Sequence, residues 1–343
     1  MATALDRLTY AVRQTARVAW YAGHYAAGRR LLKPMPKPDF AIGPTPTRAE
    51  LTADLRALFE REWQDIAAGL FAAPRTLSID PGEFLRRSAL YFRDLPKVDE
   101  RRHGRINDEP NLDDANDHLP RYYRQNFHFQ SGGWLTDESA AIYDTQVEVL
   151  FTGAADAMRR RTLKPIAEWM AGRNQRELNG LDVGCGTGRL LAFLHDAWPG
   201  MRLSGVDLSA PYLEEARRLI GRTARVKLME AAGEVLPFED ASLDLVVSSF
   251  LMHELPKKIR ADVVAEMARV VKPGGLVVLV DSIQKGDHPP WDGLLDLFPH
   301  YFHEPYYADY VTGNLEAWCT TAGLAPASSE RAFLSKVAAF RKA

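Results

Sequence analysis

Residues 181–190, LDVGCGTGRL, join two short apolar runs through three glycines. This pattern predicts a buried strand, a tight turn and the start of a helix. Glycines tolerate positive φ and carry no Cβ, so a ligand can lie against the backbone while free N–H groups of the next helix face it. In the dinucleotide fingerprint the third glycine comes later, but here Arg189 stands at that position. We therefore predict a cofactor-binding loop whose spacing disfavours a nicotinamide dinucleotide.

A second apolar run, RLSGVD at residues 202–207, ends in a carboxylate. Asp207 follows Gly188 by nineteen residues. At this distance an acidic side chain at the end of the neighbouring strand can accept both hydroxyls of a ribose. The two segments together predict a ligand that contains adenosine.

Four segments occur in the order LDVGCGTGRL, GVDLSAPYLEEA, LPFEDASLDLVVSSFLMHEL and ARVVKPGGLVVLVDS. They resemble the class I S-adenosylmethionine-dependent methyltransferases, and within them the group labelled type 11 or UbiE-like. The resemblance is specific over residues 178–282 and does not extend to residues 1–120. It implies S-adenosylmethionine as the cofactor and methyl transfer as the reaction.

Short apolar runs alternate with helical segments from residue 163 onward, which predicts an α/β fold with a doubly wound, mostly parallel sheet. Strands are expected at residues 178–184, 202–207, 225–230, 243–249 and 275–282. The resemblance implies seven strands in a Rossmann-like sheet and adds a final antiparallel strand, for which residues 333–340 are the candidate.

We divide the chain into three regions on the basis of these patterns. They are a helical N-terminal region with a linker and a polar loop (1–120), a lid or connector (121–162), and a methyltransferase domain (163–343) with an aromatic insertion at 284–312.

The resemblance also implies the cofactor contacts, residue by residue. The first motif implies that the loop backbone meets the methionine part, while Asp207 binds the ribose and Leu208 stacks on adenine. Ala232 stands where many relatives have an aspartate for the adenine amino group, so backbone groups there, Glu230 or Glu234 are expected to replace it. The predicted cofactor-binding residues are Asp182, Gly184, Cys185, Gly186, Thr187, Gly188, Asp207, Leu208, Ala232, Gly233, Ser248 and Phe250.

Methyl transfer from a sulfonium is an in-line displacement, so the protein must hold the two reactants in contact, exclude water and deprotonate the acceptor where its pKa requires this. His253 and Glu254 follow the fourth predicted strand, at the sheet edge where ligands bind in open α/β folds. We expect His253 to be a base or a substrate ligand, or alternatively a structural residue that caps the next helix. Glu254 and Tyr143 are the other catalytic candidates.

Aromatic residues and histidines concentrate on both sides of the predicted domain core. Residues 122–144 are expected to form a lid, or alternatively to pack between the N-terminal region and the domain. The insertion at 284–312 is expected to cover the substrate, with a homodimer contact or a small separate core as alternatives. The predicted acceptor is therefore an apolar or aromatic small molecule, with candidate contacts at His128, Trp134, Trp291, His300, His303, Tyr306 and Tyr307.

The N-terminal region begins with a predicted helix at residues 4–32. Its apolar positions would form a stripe, and residues 1–39 carry seven basic against two acidic side chains. Such a helix could lie on an anionic membrane or cover the domain, and its scattered aromatic residues favour packing. Thr47 and Glu50 have the spacing of a capping box that starts a second helix. The apolar stripe consists of Leu5, Leu8, Val12, Ala16 and Ala19.

Two further polar segments are interpreted as solvated. Residues 94–117 have no apolar periodicity and predict a loop, and residues 159–161, RRR, predict an exposed helix face rather than a nucleic-acid patch. No metal-ligand pattern is recognised, and we expect no metal.

Composition narrows the remaining classes of function. The chain has 343 residues, 46% of them hydrophobic, a net charge of −2 and two cysteines, Cys185 and Cys319, which indicates a full core and a reducing compartment. It has no apolar run long enough for a membrane span and no signal-peptide core, so a cytoplasmic protein is expected.

SSFL after the fourth strand differs from the motif of amino-base methyltransferases, which disfavours nucleic-acid substrates. A nicotinamide oxidoreductase and a catalytically silent scaffold protein are the alternatives.

Overall fold

The computed structural model describes residues 3–73, 81–112 and 114–343. Seven strands form its central sheet: β1 Asn179–Val183, β2 Arg202–Asp207, β3 Val226–Glu230, β4 Leu243–Ser249, β5 Val271–Ser282, β6 Leu324–Ala332 and β7 Ser335–Lys342. The strand order is β3-β2-β1-β4-β5-β7-β6, in which β7 runs antiparallel to both of its neighbours and the other pairs are parallel. The predicted doubly wound α/β fold is confirmed.

Six of these strands correspond to predicted ones, and β6 was not predicted. Its residues, LAPASSERA, have no alternation of apolar and polar side chains, and most of them are exposed at the edge of the sheet. An edge strand with few buried side chains leaves no hydrophobic signal in the sequence. The register of β6 is set instead by its pairing with β7.

Twelve helices accompany the sheet in the described part of the chain. The N-terminal ones are α1 Ala4–Leu31, α2 Arg48–Ala67 and α3 Pro81–Gly104, and the others are α4 Asp137–Leu150, α5 Ala155–Arg160, α6 Leu163–Met170, α7 Arg189–Ala197, α8 Ala210–Ile220, α9 Lys257–Val270, α10 Asp292–Tyr301, α11 Tyr307–Val311 and α12 Leu315–Thr321. Among the described residues, no helix combines the length and the apolar character needed to cross a bilayer.

The core lies on the central strands, where Leu181, Val246 and Val278 are fully buried. Helices cover both faces of a parallel sheet, so buried apolar residues occupy consecutive positions of these strands, as at residues 245–247 and 276–280, rather than alternating positions. This arrangement brings the carboxyl ends of β1, β2 and β4 together at one edge of the sheet.

Helix α1 packs on the protein through a face other than the apolar stripe. Leu5, Leu8 and Val12 of the stripe are exposed. The buried face carries aromatic and polar side chains, and Arg17 pairs with Glu148 at 2.5 Å and with Asp156 at 2.7 Å. Since these carboxylates belong to α4 and α5, α1 covers the helices next to the sheet through charge pairs.

Two segments interpreted as solvated are ordered or buried. Helix α3 extends through the first half of residues 94–117, up to Gly104, so the prediction of a loop there was wrong. The exposed face predicted for residues 159–161 was also wrong, because all three arginines are at most 4% exposed. Arg160 pairs with Glu62, and Arg161 pairs with Asp65 and with Glu330.

The capping box at the start of α2 is confirmed. Thr47 Oγ1 accepts a hydrogen bond from the Glu50 N–H at 3.2 Å, and Glu50 Oε2 accepts one from the Thr47 N–H at 2.7 Å. We expect Thr47→Ala to lower the free energy of unfolding by about 1 kcal/mol, because free N–H groups of the first turn lose their side-chain acceptor. Denaturant unfolding measures this change. The control is Thr52→Ala, which removes an exposed hydroxyl of the same helix and should change stability by less than about 0.5 kcal/mol.

Candidate functional site

The glycine loop connects β1 to α7. Gly184, Gly186 and Gly188 have φ values of 67°, 52° and 78°, a region that favours glycine. A Cβ on Gly188 would lie 2.9 Å from the Cβ of Ala216, so this glycine also allows the loop to approach α8. The loop is fixed to β2, because the Cys185 N–H donates to the Val206 carbonyl at 2.9 Å.

Asp207 lies at the carboxyl end of β2 and faces the loop. Its Oδ2 accepts a hydrogen bond from the Gly186 N–H at 2.8 Å, and its Oδ1 accepts one from the Ser209 N–H at 2.9 Å. Burial raises the pKa of Asp207, although these N–H groups and the Tyr123 hydroxyl oppose the shift. Tyr123 comes from the connector and was not among the predicted residues, since nothing local in the sequence pairs it with Asp207.

Asp182, in β1, is fully buried beside Asp207. Apart from the nearby Leu191 N–H, its two oxygens have no hydrogen-bond partner in the described part of the chain. Burial and the charge of Asp207 raise the pKa of Asp182 well above its ordinary range, while Arg159 acts in the opposite direction. Two buried carboxylates at one edge of the sheet fit a ligand with a cationic group, such as S-adenosylmethionine.

The other predicted cofactor residues lie along the same edge. Ala232 and Gly233 follow β3, and Glu234 accepts a hydrogen bond from the Tyr122 hydroxyl at 2.7 Å. Thr187 donates to Asp144 at 2.8 Å, which ties the loop to α4. The remaining members are Leu208, directly after β2, and Ser248 and Phe250 at the end of β4.

A cavity of about 90 Å³ lies beyond Phe250, between α4, α10 and α11. Phe250 has φ of 55°, stacks against Phe151 and carries the Arg159 guanidinium 4.9 Å above its ring. The predicted residues that line this cavity are His128, Tyr143, His253, Glu254 and Tyr307. Its apolar wall consists of Val147, Leu150, Phe151, Phe250, Leu294, Leu295, Phe298 and Leu334.

The polar end of the cavity is built around His253. Its Nδ1 lies 2.5 Å from Asp281, at the end of β5, and its Nε2 lies 3.4 Å from Glu254. Burial opposes a charge on this ring, but Asp281 and Glu254 outweigh burial and hold the pKa of His253 well above its ordinary range. Asp281 was not predicted, although its position at the carboxyl end of a strand is a signal that the sequence contains.

A second histidine, His128, lies at the polar end of the cavity with His253. His128 has φ of 54°, and its Nε2 lies 3.1 Å from Glu304 and 4.0 Å from Glu254. Burial lowers the pKa of His128 to about 4. Burial and the neighbouring Glu254 raise the pKa of Glu304 well above its ordinary range. Glu304 was not predicted either.

The other predicted substrate residues lie outside this cavity lining. Trp134 stacks on Phe127 with centroids 4.1 Å apart, and Trp291 is buried against Phe333. His300 lies 2.9 Å from the Pro36 carbonyl, while His303 and Tyr306 both contact Gln125. The aromatic insertion thus divides between the cavity and packing against the connector and the linker.

A larger cleft of about 420 Å³ lies between α1, α3 and α8. Charged side chains line much of it, including the pair Arg87 and Glu215 at 3.1 Å. It includes Thr187 but neither Asp207 nor any residue of the polar end around His253. The smaller cavity beside Phe250 does not include Asp207 either, but it contains the polar end around His253.

Comparison with known proteins agrees with this geometry. The family model described as methyltransferase domain matches residues 181–275. Demethylmenaquinone methyltransferase from Thermus thermophilus is 31% identical over 188 residues, which cover 54% of this chain and 80% of that protein. The enzyme of the same name from Staphylococcus aureus is 32% identical over 143 residues, which cover 41% of this chain and 56% of that protein.

Two solved structures are similar to part of the chain at low sequence identity. A methyltransferase dependent on S-adenosylmethionine from Aquifex aeolicus has a TM-score of 0.40 and 19% identity, with coverage of 53% of this chain and 89% of that one. One from Methanosarcina mazei has a TM-score of 0.41 and 18% identity, with coverage of 50% and 96%.

The glycine loop, Asp207 at the end of β2 and the doubly wound sheet define an α/β protein of the kind that binds adenosine-containing ligands. The chain belongs to the class I S-adenosylmethionine-dependent methyltransferases, with S-adenosylmethionine as its cofactor. The resemblance and the cofactor predicted from the sequence are thereby confirmed, whereas the roles of individual site residues stay predictions.

Proposed function

We propose that the protein methylates an apolar aromatic small molecule that binds in the cavity beside Phe250. The observation that carries this proposal is the composition of the cavity, which has an apolar and aromatic wall on one side and His253 and Glu254 at its other end. Such a lining orients a flat apolar molecule by a few polar contacts. The acceptor atom would lie at the polar end, on a hydroxylated or otherwise ionisable part of the ring.

The relatives named for demethylmenaquinone support an acceptor with an aromatic ring. The first of these matches spans 54% of this chain. The chemical class of the acceptor is therefore proposed from the lining of the cavity.

When bound, S-adenosylmethionine supplies an electrophilic methyl group. Asp182 would face its ammonium group, Arg159 its carboxylate and Asp207 its ribose hydroxyls. His253 and Glu254 would hold the reacting group of the acceptor, and Asp281 would fix the His253 ring through Nδ1. The apolar wall would exclude water from the reacting atoms.

The test is turnover with a methyl-labelled cofactor and a panel of hydroxylated aromatic small molecules. Label should appear in a small aromatic product together with S-adenosylhomocysteine. Label found only in proteins or nucleic acids added to the same assay would overturn the proposed acceptor class.

We expect His253→Gln to lower kcat by about 10²–10³-fold while cofactor affinity stays unchanged, because the polar end loses a positioned group where charge changes during transfer. Steady-state kinetics and calorimetry measure the two quantities. The matched control is His300→Gln, which removes a histidine outside the cavity lining and should keep normal kcat. Equal rates for both variants would remove His253 from the reaction.

A further inference from the structure

Three potential metal ligands from three distant segments meet at the polar end of the cavity. His128 belongs to the connector, Glu254 follows β4, and Glu304 lies between α10 and α11. Each offers one ligand atom, and these atoms all lie within 4.8 Å of one another. Small movements of the side chains, without a rearrangement of the fold, would bring the three atoms to the distances of about 2.0–2.2 Å at which such ligands bind zinc.

The burial of Glu304 supports a bound cation independently of the distances between the three ligand atoms. Its side chain is 0% exposed, and apart from the neighbouring Glu254 carboxyl its two oxygens have no hydrogen-bond partner in the described part of the chain. His128 Nε2 lies 3.1 Å from Glu304 Oε1, yet the two atoms do not form a hydrogen bond. Glu254 is also buried, and its Oε2 has no partner among the described residues.

Buried carboxylates without partners are costly, because the interior does not replace the hydrogen bonds of water. Two such groups side by side need either a shared proton or a cation. The backbone of His128, at φ of 54°, holds the imidazole next to both carboxylates in a conformation that few residues other than glycine adopt. An imidazole at this position fits a cation that binds nitrogen as well as oxygen.

We propose that His128, Glu254 and Glu304 form a binding site for one divalent transition-metal ion of the manganese or zinc type. The donor set of one imidazole and two carboxylates suits these ions better than calcium, which takes oxygen ligands alone. The sequence did not indicate this site, because its ligands are separated by 126 and 50 residues and follow no local spacing.

The position of the site gives the ion a role that rests on the proposed function. His128 and Glu254 line the cavity, so an ion held by three protein ligands would have its open coordination positions on the cavity side. An acceptor hydroxyl bound there would release its proton to water more readily as it binds. The resulting oxygen anion would be a better nucleophile toward the methyl group, whose bond to the cofactor sulfur breaks as the new bond to oxygen forms.

Metal binding can be measured without turnover, so its outcome is independent of the proposed acceptor. The full chain is stripped with a chelator and titrated with Mn²⁺ or Zn²⁺ alone, in the absence of cofactor, by calorimetry and, for Mn²⁺, by electron paramagnetic resonance. We expect one ion per chain. Glu304→Gln should weaken binding by more than the 10–100-fold that follows loss of an outer contact to a metal ligand.

Two controls establish whether the ion binds at these three residues. His300→Gln removes a histidine that lies against the Pro36 carbonyl and should bind the ion as the parent does. Glu304→Gln should also leave the Tm of the metal-free protein unchanged or higher, because a buried carboxylate without partners is removed, and it should abolish the rise in Tm on adding the ion. Absence of a stoichiometric ion in the parent, or equal affinity in Glu304→Gln, would overturn the proposal.

Discussion

Asp207→Ala is expected to weaken S-adenosylmethionine binding by about 10²–10⁴-fold. The carboxylate would bind two ribose hydroxyls, and each charge-assisted hydrogen bond contributes about 1.5–3 kcal/mol, which gives about 3–6 kcal/mol in total. The carboxylate is held in place by the Gly186 and Ser209 N–H groups, so binding requires little reorganisation of the site. Calorimetry with the cofactor measures the change.

Asp207→Ala would also disturb the glycine loop, and this effect must be separated from the loss of the ribose contacts. Loss of the carboxylate also frees the Gly186 N–H, and the glycine loop can then relax. Asp207→Asn keeps one acceptor oxygen for the loop and should lose less affinity than the alanine variant. Glu214→Ala removes an exposed carboxylate on α8 and should bind the cofactor normally. A folded Asp207→Ala protein with the affinity of the parent would contradict the assignment.

Features encoded by local sequence were predictable. The strands at residues 202–207 and 243–249 have the predicted bounds, and their apolar residues are buried on the sheet as the pattern indicated. The glycine loop was predictable for the same reason, since its positive φ values require glycine at fixed spacing. The fold therefore follows from short-range pattern, except at the exposed edge strand β6.

The site was predictable only in part. The sequence placed His253 and Glu254 at the correct sheet edge, because the carboxyl end of a strand can be read from the strand itself. Asp281, Glu304 and Tyr123 were missed, because their importance depends on partners that are distant in the sequence and adjacent only in the fold. The same limit explains why Trp134 and His300, chosen for their residue type, lie outside the cavity lining.

The run of three arginines shows how this limit affects charged residues. A run of three basic residues is most often solvated, and that interpretation was wrong here. The partner of Arg160 is Glu62, which lies 98 residues earlier and is fully buried between α2 and α5. Glu62 also accepts hydrogen bonds from Tyr10 and Gln14, so one carboxylate connects α1, α2 and α5.

This arrangement predicts that Arg160→Met lowers the free energy of unfolding by about 3–5 kcal/mol, because it leaves the buried Glu62 carboxylate without its cation. The double variant Glu62→Gln/Arg160→Met removes the charge and keeps an acceptor for Tyr10, so it should recover a large part of that loss. Denaturant unfolding of both variants measures the difference.

An ion pair at the surface provides the control for the loss of stability expected in Arg160→Met. Arg217→Met breaks a pair with Glu214 in which both side chains are about half exposed, and it should cost at most about 0.5 kcal/mol. If the large effect of Arg160→Met came from lost packing alone, the double variant would be at least as unstable as the single one. Recovery in the double variant would show instead that the buried charge on Glu62 determines the cost, and that the pair of Glu62 and Arg160 stabilises the contact of α2 with α5.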